Sequence, residues 1–194
     1  SFPHAKFPLG WEEWISLTDL SLPAIKAKVD TGARTSALHA LRIEPFGTEA
    51  KPQVRFIMHP DPDDPSIEVV CSAQVKDKRM VTSSNGHQEL RYVIESMAKI
   101  GEKVMPIEIS LTNRETMGYR MLLGRSAIGD DMSARPTESF LQTKLSYSVY
   151  KKRRKSAVQE RPLRIGILTQ SPHNYSNKRI IEAAEARGHT IETI

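Results

Sequence analysis

The 194-residue chain has one cysteine, Cys71, which excludes an internal disulfide and suits a reducing compartment, so a cytoplasmic protein is expected. No apolar run approaches the ~20 residues that a membrane helix needs. The opening Ser1-Phe2-Pro3-His4-Ala5-Lys6 lacks the apolar core of a secretion signal. There is no His-Glu-x-x-His and no Cys-x-x-Cys, and the six histidines are scattered, so no metal is expected. The acidic run Pro60-Asp61-Pro62-Asp63-Asp64-Pro65 lacks the glutamate and glycine of a calcium loop and reads as a solvated turn. Charge of one sign is also scarce. The net +5 comes from Lys151-Lys152-Arg153-Arg154-Lys155, and the remaining 23 basic residues balance 23 acids. That run has no interleaved aromatics, so a solvated linker is expected rather than a nucleic-acid groove.

What is present is a soluble, globular composition, 39% hydrophobic and 26% charged, with length for one ordinary domain and a fragment. The chain is organised around Ala27-Lys28-Val29-Asp30-Thr31-Gly32-Ala33-Arg34-Thr35-Ser36. A β-branched lead, an aspartate, a hydroxyl residue and a glycine suit a strand running into a tight turn. Gly32 there is expected to take backbone angles closed to other residues. Taken alone, Asp-Thr-Gly is also an ordinary turn.

Leu22 to Val29 alternates apolar and polar with period two and predicts a half-buried strand ending at Asp30. Before it, Trp11 and Trp14 are expected in the core, with a barrel-edge anchor or a subunit contact as the alternatives. His39, between Leu38 and Ala40, is expected as a satisfied buried histidine. Strands are also expected over Val54–His59, Ile67–Cys71, Ala73–Lys76, Val104–Leu111 and Met117–Leu123, with a short helix over Arg125–Gly129. Asn85-Gly86 between the alternating arms Arg79–Ser84 and His87–Ile94 is a strong hairpin signal. Many short strands with polar turns predict a mainly β chain closed into a small barrel. After the basic run the pattern changes. Leu163–Thr169 is a continuous apolar strand, Ser176 can cap a helix running to Gly188, and Thr190–Ile194 begins another strand.

Lys26–Ala40, Ser83–His87, Leu111–Arg114 and Met121–Arg125, in this order, resemble the retropepsin-like aspartic proteases. They are most similar to the bacterial RimB-like branch, whose older label is ATP-dependent zinc protease. The resemblance covers roughly residues 10 to 150 and implies a small acid-protease barrel. It implies that Asp30 is the catalytic carboxyl, that Thr31 braces it across a two-fold axis, and that Gly32 lets substrate backbone approach. Because the chain holds one Asp-Thr-Gly, a homodimer is implied. Ala33, Arg34, Ser84, Gly86, His87 and Arg125 are the implied substrate contacts, the hairpin serving as a flap. Retroviral relatives usually carry a second aspartate two residues after the glycine, where this chain has Arg34. Arg34 and Arg125 are therefore expected to meet without a local acid, which suits a substrate rich in carboxylates. A structural acid such as Glu108 or Asp130 is the alternative.

Three segments are expected: a protease domain over 1–150, a basic linker over 151–162, and over 163–194 the start of a lobe resembling RimK-type ATP-grasp glutamate ligases. The last is expected to be a truncated piece of a longer fusion. ATP and Mg are implied for the ligase portion beyond it, and no cofactor for the protease. The combined resemblance implies hydrolysis in the acidic, glutamate-rich tail of a small-subunit ribosomal protein, with no membrane partner. A barrel that only grips such a tail and presents it to the ligase is the alternative.

Overall fold

The computed structural model describes residues 5–82, 86–113, 118–152, 164–167, 175–186 and 190–193. The chain divides into two compact units, Ser1–Lys151 and Lys152–Ile194.

In the first unit the strands are β1 (Phe7–Gly10), β2 (Glu12–Leu17), β3 (Leu22–Asp30), β4 (Ser36–His39), β5 (Leu41–Gly47), β6 (Pro52–Met58), β7 (Val69–Thr82), β8 (Gln88–Ile100), β9 (Lys103–Thr112), β10 (Met121–Gly124) and β11 (Met132–Arg135). Six of them close on themselves in the order β2-β3-β10-β4-β9-β8, with β8 returning to β2 through Ser16↔Lys99 and Leu17↔Ala98. Closure removes the free edges that an open sheet would leave. β7, β6 and β5 continue outward from β8.

The barrel is filled by Ile15, Leu17, Leu22, Ile25, Leu38, Ile94, Ile109, Met121 and Leu123, and Phe56 and Met58 of β6 join the same core. Burying each such side chain is worth roughly 1.5–3 kcal/mol. β3 departs from the half-buried strand its pattern predicts. Leu22, Ile25 and Ala27 join the main core, whereas Ala24 faces a second cluster with Trp14, Ile67 and Tyr150. The cause is a strap, residues 136–150, that crosses the outside of the barrel. Trp11 N–H donates to the Glu138 carbonyl at 2.7 Å and Phe140 N–H to that of Glu12 at 2.9 Å. The Tyr150 hydroxyl donates to the Ala24 carbonyl at 2.6 Å. Beneath the strap, Lys26 Nζ lies 5.1 Å from the Trp14 ring centre and 5.6 Å from that of Phe140. Trp14 is buried as expected, but Trp11 is 38% exposed. Trp11 sits at the break between β1 and β2 and meets Tyr119 edge-on rather than entering the core.

β7 and β8 form a long ribbon. Its register runs Arg79↔Arg91, Met80↔Leu90, Val81↔Glu89, Thr82↔Gln88. A two-residue Asn85-Gly86 turn would set Met80 opposite Arg91, so the register is one residue away from the simplest hairpin. Ser84 lies outside the described residues. The strand expected from Met117 starts later, at Met121, and the expected helix after Gly124 is a single 3-10 turn, Arg125–Ala127.

In the second unit β12 (Arg164–Ile167) and β13 (Thr190–Thr193) pair in parallel, with the helix Tyr175–Glu185 between them in sequence. This is the expected β-α-β pattern. Ser176 falls within the first helical turn rather than ahead of it, so it is not the cap; Gly188 lies outside the described residues.

Candidate active site

β3 ends at Asp30, and the chain reverses at once. The Gly32 and Ala33 amides both donate to Asp30 Oδ1, at 3.0 and 3.3 Å, and the Ala33 amide also reaches the Asp30 carbonyl at 3.3 Å. An aspartate at the head of such a turn satisfies the backbone with its own side chain. Oδ2 has no partner among the described residues. Gly32 is not among the glycines with positive φ, which in the described residues are Gly47, Gly86 and Gly101. The expectation of special backbone angles at Gly32 is therefore corrected. A Cβ at Gly32 would lie 3.2 Å from Asp30 Oδ1, a tight approach to the carboxyl that the turn orients.

β10 slides between β3 and β4, parallel to the first and antiparallel to the second, with Gly124 level with Asp30. At Gly124 a Cβ would fall 2.6 Å from the Thr35 carbonyl carbon and 2.9 Å from the Arg34 oxygen, so only glycine lets the strands approach this closely. The Gly124 amide donates to Ser36 Oγ at 3.1 Å, and those of Arg125 and Ser126 donate to the carbonyls of Ala33 and Arg34 at 2.8 and 3.0 Å. The Asp30 turn is thus held in place by backbone hydrogen bonds from β10 and the turn after it. Asp30 is half-buried, while Thr31 and Gly32 are exposed.

Asp30, Thr31, Gly32, Ala33, Arg34 and Arg125 come together at this end of the barrel. Arg125 Nη1 donates to the Gly32 carbonyl at 3.2 Å, bracing the turn. Arg34 is exposed and has no ion-pair partner among the described residues. Glu108 pairs instead with Lys76 and Arg79, at 3.2 and 3.6 Å. Gly86 and His87 are exposed at the outer end of the ribbon, beyond Thr82↔Gln88. His39 is buried on β4.

A pocket of about 340 Å³ opens beside the turn, and two of its walls, Arg79 and Arg91, are residues that sequence reasoning missed. Counting outward from the hairpin tip would have found them only with the observed register, since the two-residue turn misaligns them. Arg79 Nε binds Asp77 at 2.8 Å and holds that carboxyl below the usual carboxylate range. Arg91 Nε binds Glu89 at 3.1 Å. Among the described residues, no group of three His, Cys, Asp or Glu side chains converges to hold a metal ion.

The family model for the retropepsin-like aspartic endopeptidase RimB matches residues 8–145, and that for the RimK PreATP-grasp domain matches residues 163–194. Proteins named probable alpha-L-glutamate ligase are 46% identical in Shewanella pealeana and 43% in Parasynechococcus marenigrum. In each case 96% of this chain is covered but only 41% and 40% of the relative. The chain thus spans about two fifths of the length of these curated relatives. A crystal structure of a Legionella pneumophila protein of unknown function superposes with a TM-score of 0.58 at 30% identity, covering 71% of this chain and 98% of the other. With its single Asp-Thr-Gly turn locked under a parallel strand that ends in Gly124, the chain belongs to the RimB-like family of retropepsin-like domains, followed by a RimK-type pre-ATP-grasp segment.

Proposed function

We propose that this chain is an aspartic peptidase that works as a homodimer on peptide bonds in an acidic, glutamate-rich tail. The observation that carries the reading is the state of the Asp30 carboxyl. One oxygen is fixed by two backbone amides while the other is open. Hydrolysis of this type needs two carboxyls, one protonated and one not, because adjacent charges cannot both form cheaply. A second copy of the chain supplies the other. The ionised group takes a proton from water as its oxygen attacks the scissile carbonyl carbon, and the protonated group gives its proton to the carbonyl oxygen. Breakdown of the resulting gem-diol returns a proton to the leaving nitrogen. Exposed Thr31 and Gly32 are where the second copy and the substrate backbone approach.

The uncompensated Arg34 beside the turn supports an anionic substrate. The relatives' names, together with the RimK-type segment, support a tail to which glutamates are added, which we assign to a small-subunit ribosomal protein in the cytoplasm. Among the described residues, no helix is long and apolar enough to cross a membrane. ATP and Mg belong to the ligation half of this chemistry, and no cofactor is needed for hydrolysis. The test is turnover of a peptide ending in a run of glutamates. Cleavage that rises with dimer population and falls by about 10³-fold in Asp30→Asn supports the reading. Cleavage unchanged in that variant, or none by a protein shown to be dimeric, rejects it. Because the relatives' names describe ligation alone, a second reading follows: a barrel that binds the tail without cutting it. Tight binding with no turnover would establish that one.

A further inference from the structure

Arg79 and Arg91 stand directly opposite each other on β7 and β8 and face the same pocket as Arg34 of the catalytic turn. Like charges in directly opposed positions repel. Each is offset by its own acid outside the pocket: Asp77 and Glu108 for Arg79, Glu89 for Arg91. Those acids keep the guanidinium groups oriented. No acid lines the pocket itself, and Arg34 has no counter-ion among the described residues. Of the three arginines lining the pocket, Arg34 alone has no ion pair among the described residues. Its remaining wall includes Val81, Val93 and Leu122. Apolar walls leading to guanidinium donors suit a short methylene stem ending in a carboxylate.

We propose that Arg34, Arg79 and Arg91 form a subsite that takes a single glutamate side chain of the substrate next to the cleavage site. The proposal rests on the peptidase reading for its use but not for its binding chemistry. It gives the ribbon arms a role in selection and moves carboxylate recognition from Arg125, which braces the turn, to residues of β7 and β8. A carboxylate held there is shared between ribbon and turn, so substrate choice and ribbon position are linked.

The experiment measures binding of a C-terminally amidated oligoglutamate peptide and its oligoglutamine counterpart to full-length protein carrying Asp30→Asn, so that nothing is cut and no terminal carboxylate is present. The glutamate peptide should bind more tightly. Arg34→Gln, Arg79→Gln and Arg91→Gln, each added separately, should weaken it about ten-fold or more while leaving the glutamine peptide unchanged. Arg34→Lys should recover only part of the loss, because an ammonium lacks the planar fork. Arg34 is exposed, so its variants test the site without burdening the fold. Equal affinity for both peptides, or arginine variants that bind the glutamate peptide as before, overturns the subsite. Wild-type cleavage of both peptides at one rate would remove the subsite and leave the peptidase. Selective binding without any cleavage would do the reverse.

Discussion

Two carboxyl groups in the barrel do opposite jobs with the same backbone chemistry. Glu13 is fully buried, and its oxygens accept the amides of Gly10 and Leu141, both at 2.9 Å, and Gln142 at 3.2 Å. Asp30 accepts two amides from its own turn, both on one oxygen, and is only half-buried. The glutamate's two oxygens are both occupied, and it fastens the strap to β1 and β2. The aspartate is also oriented by amides but keeps an oxygen open. Orientation by backbone amides is common to both groups. The open oxygen separates a fastening from the group proposed to react.

The strongest way to break this contrast is to exchange the consequences. Glu13→Ala strands buried amides from two segments, and denaturant unfolding should show a loss of about 3 kcal/mol or more. Asp30→Asn should alter the same measurement by less than about 1 kcal/mol, since an amide oxygen still accepts in the turn. Comparable losses would end the distinction. Next in size is Gly124→Ala, which pushes a methyl into the Thr35 and Arg34 backbone. It should cost about 1–3 kcal/mol and remove peptide turnover by displacing the Asp30 turn. Tyr150→Phe sharpens the other side of the comparison by removing the second fastening of the strap. About 1 kcal/mol is expected, with turnover retained.

The smallest effect concerns Cys71, which lies in neither region. Burial pushes its thiol from an ordinary 9.0 up to about 12. A raised thiol value means that the folded state favours the protonated form. Its contribution to stability is thus complete below the unfolded thiol's range, about 8.5, and declines as pH climbs toward the folded value. A thiol reagent at pH 9 should label Cys71 only when denaturant is added. Rapid labelling of the folded protein would show that the core is open.

The reading of the sequence succeeded where chemistry is local. A strand ending in Val29-Asp30-Thr31-Gly32, the Met121–Gly124 strand and the β7–β8 hairpin all follow from neighbouring residues. It failed where partners are remote. Nothing near Trp11 announces that the chain breaks there, and nothing near Ala24 announces that Tyr150 will cover it. Arg79 and Arg91 are separated by a tip whose simplest turn would misalign them. The bond from Arg125 to the Gly32 carbonyl was equally hidden, because its target is a backbone atom that no side-chain pattern reveals.

The strap also fixes where this barrel can be trimmed. The match to the RimB-like family model ends at residue 145, yet Tyr147 and Tyr150 complete the wall around Trp14, Lys26 and Ala24. A protein cut where that match ends would uncover an indole and a stretch of β3, the strand that carries Asp30. A stable excised barrel should therefore extend at least through Tyr150.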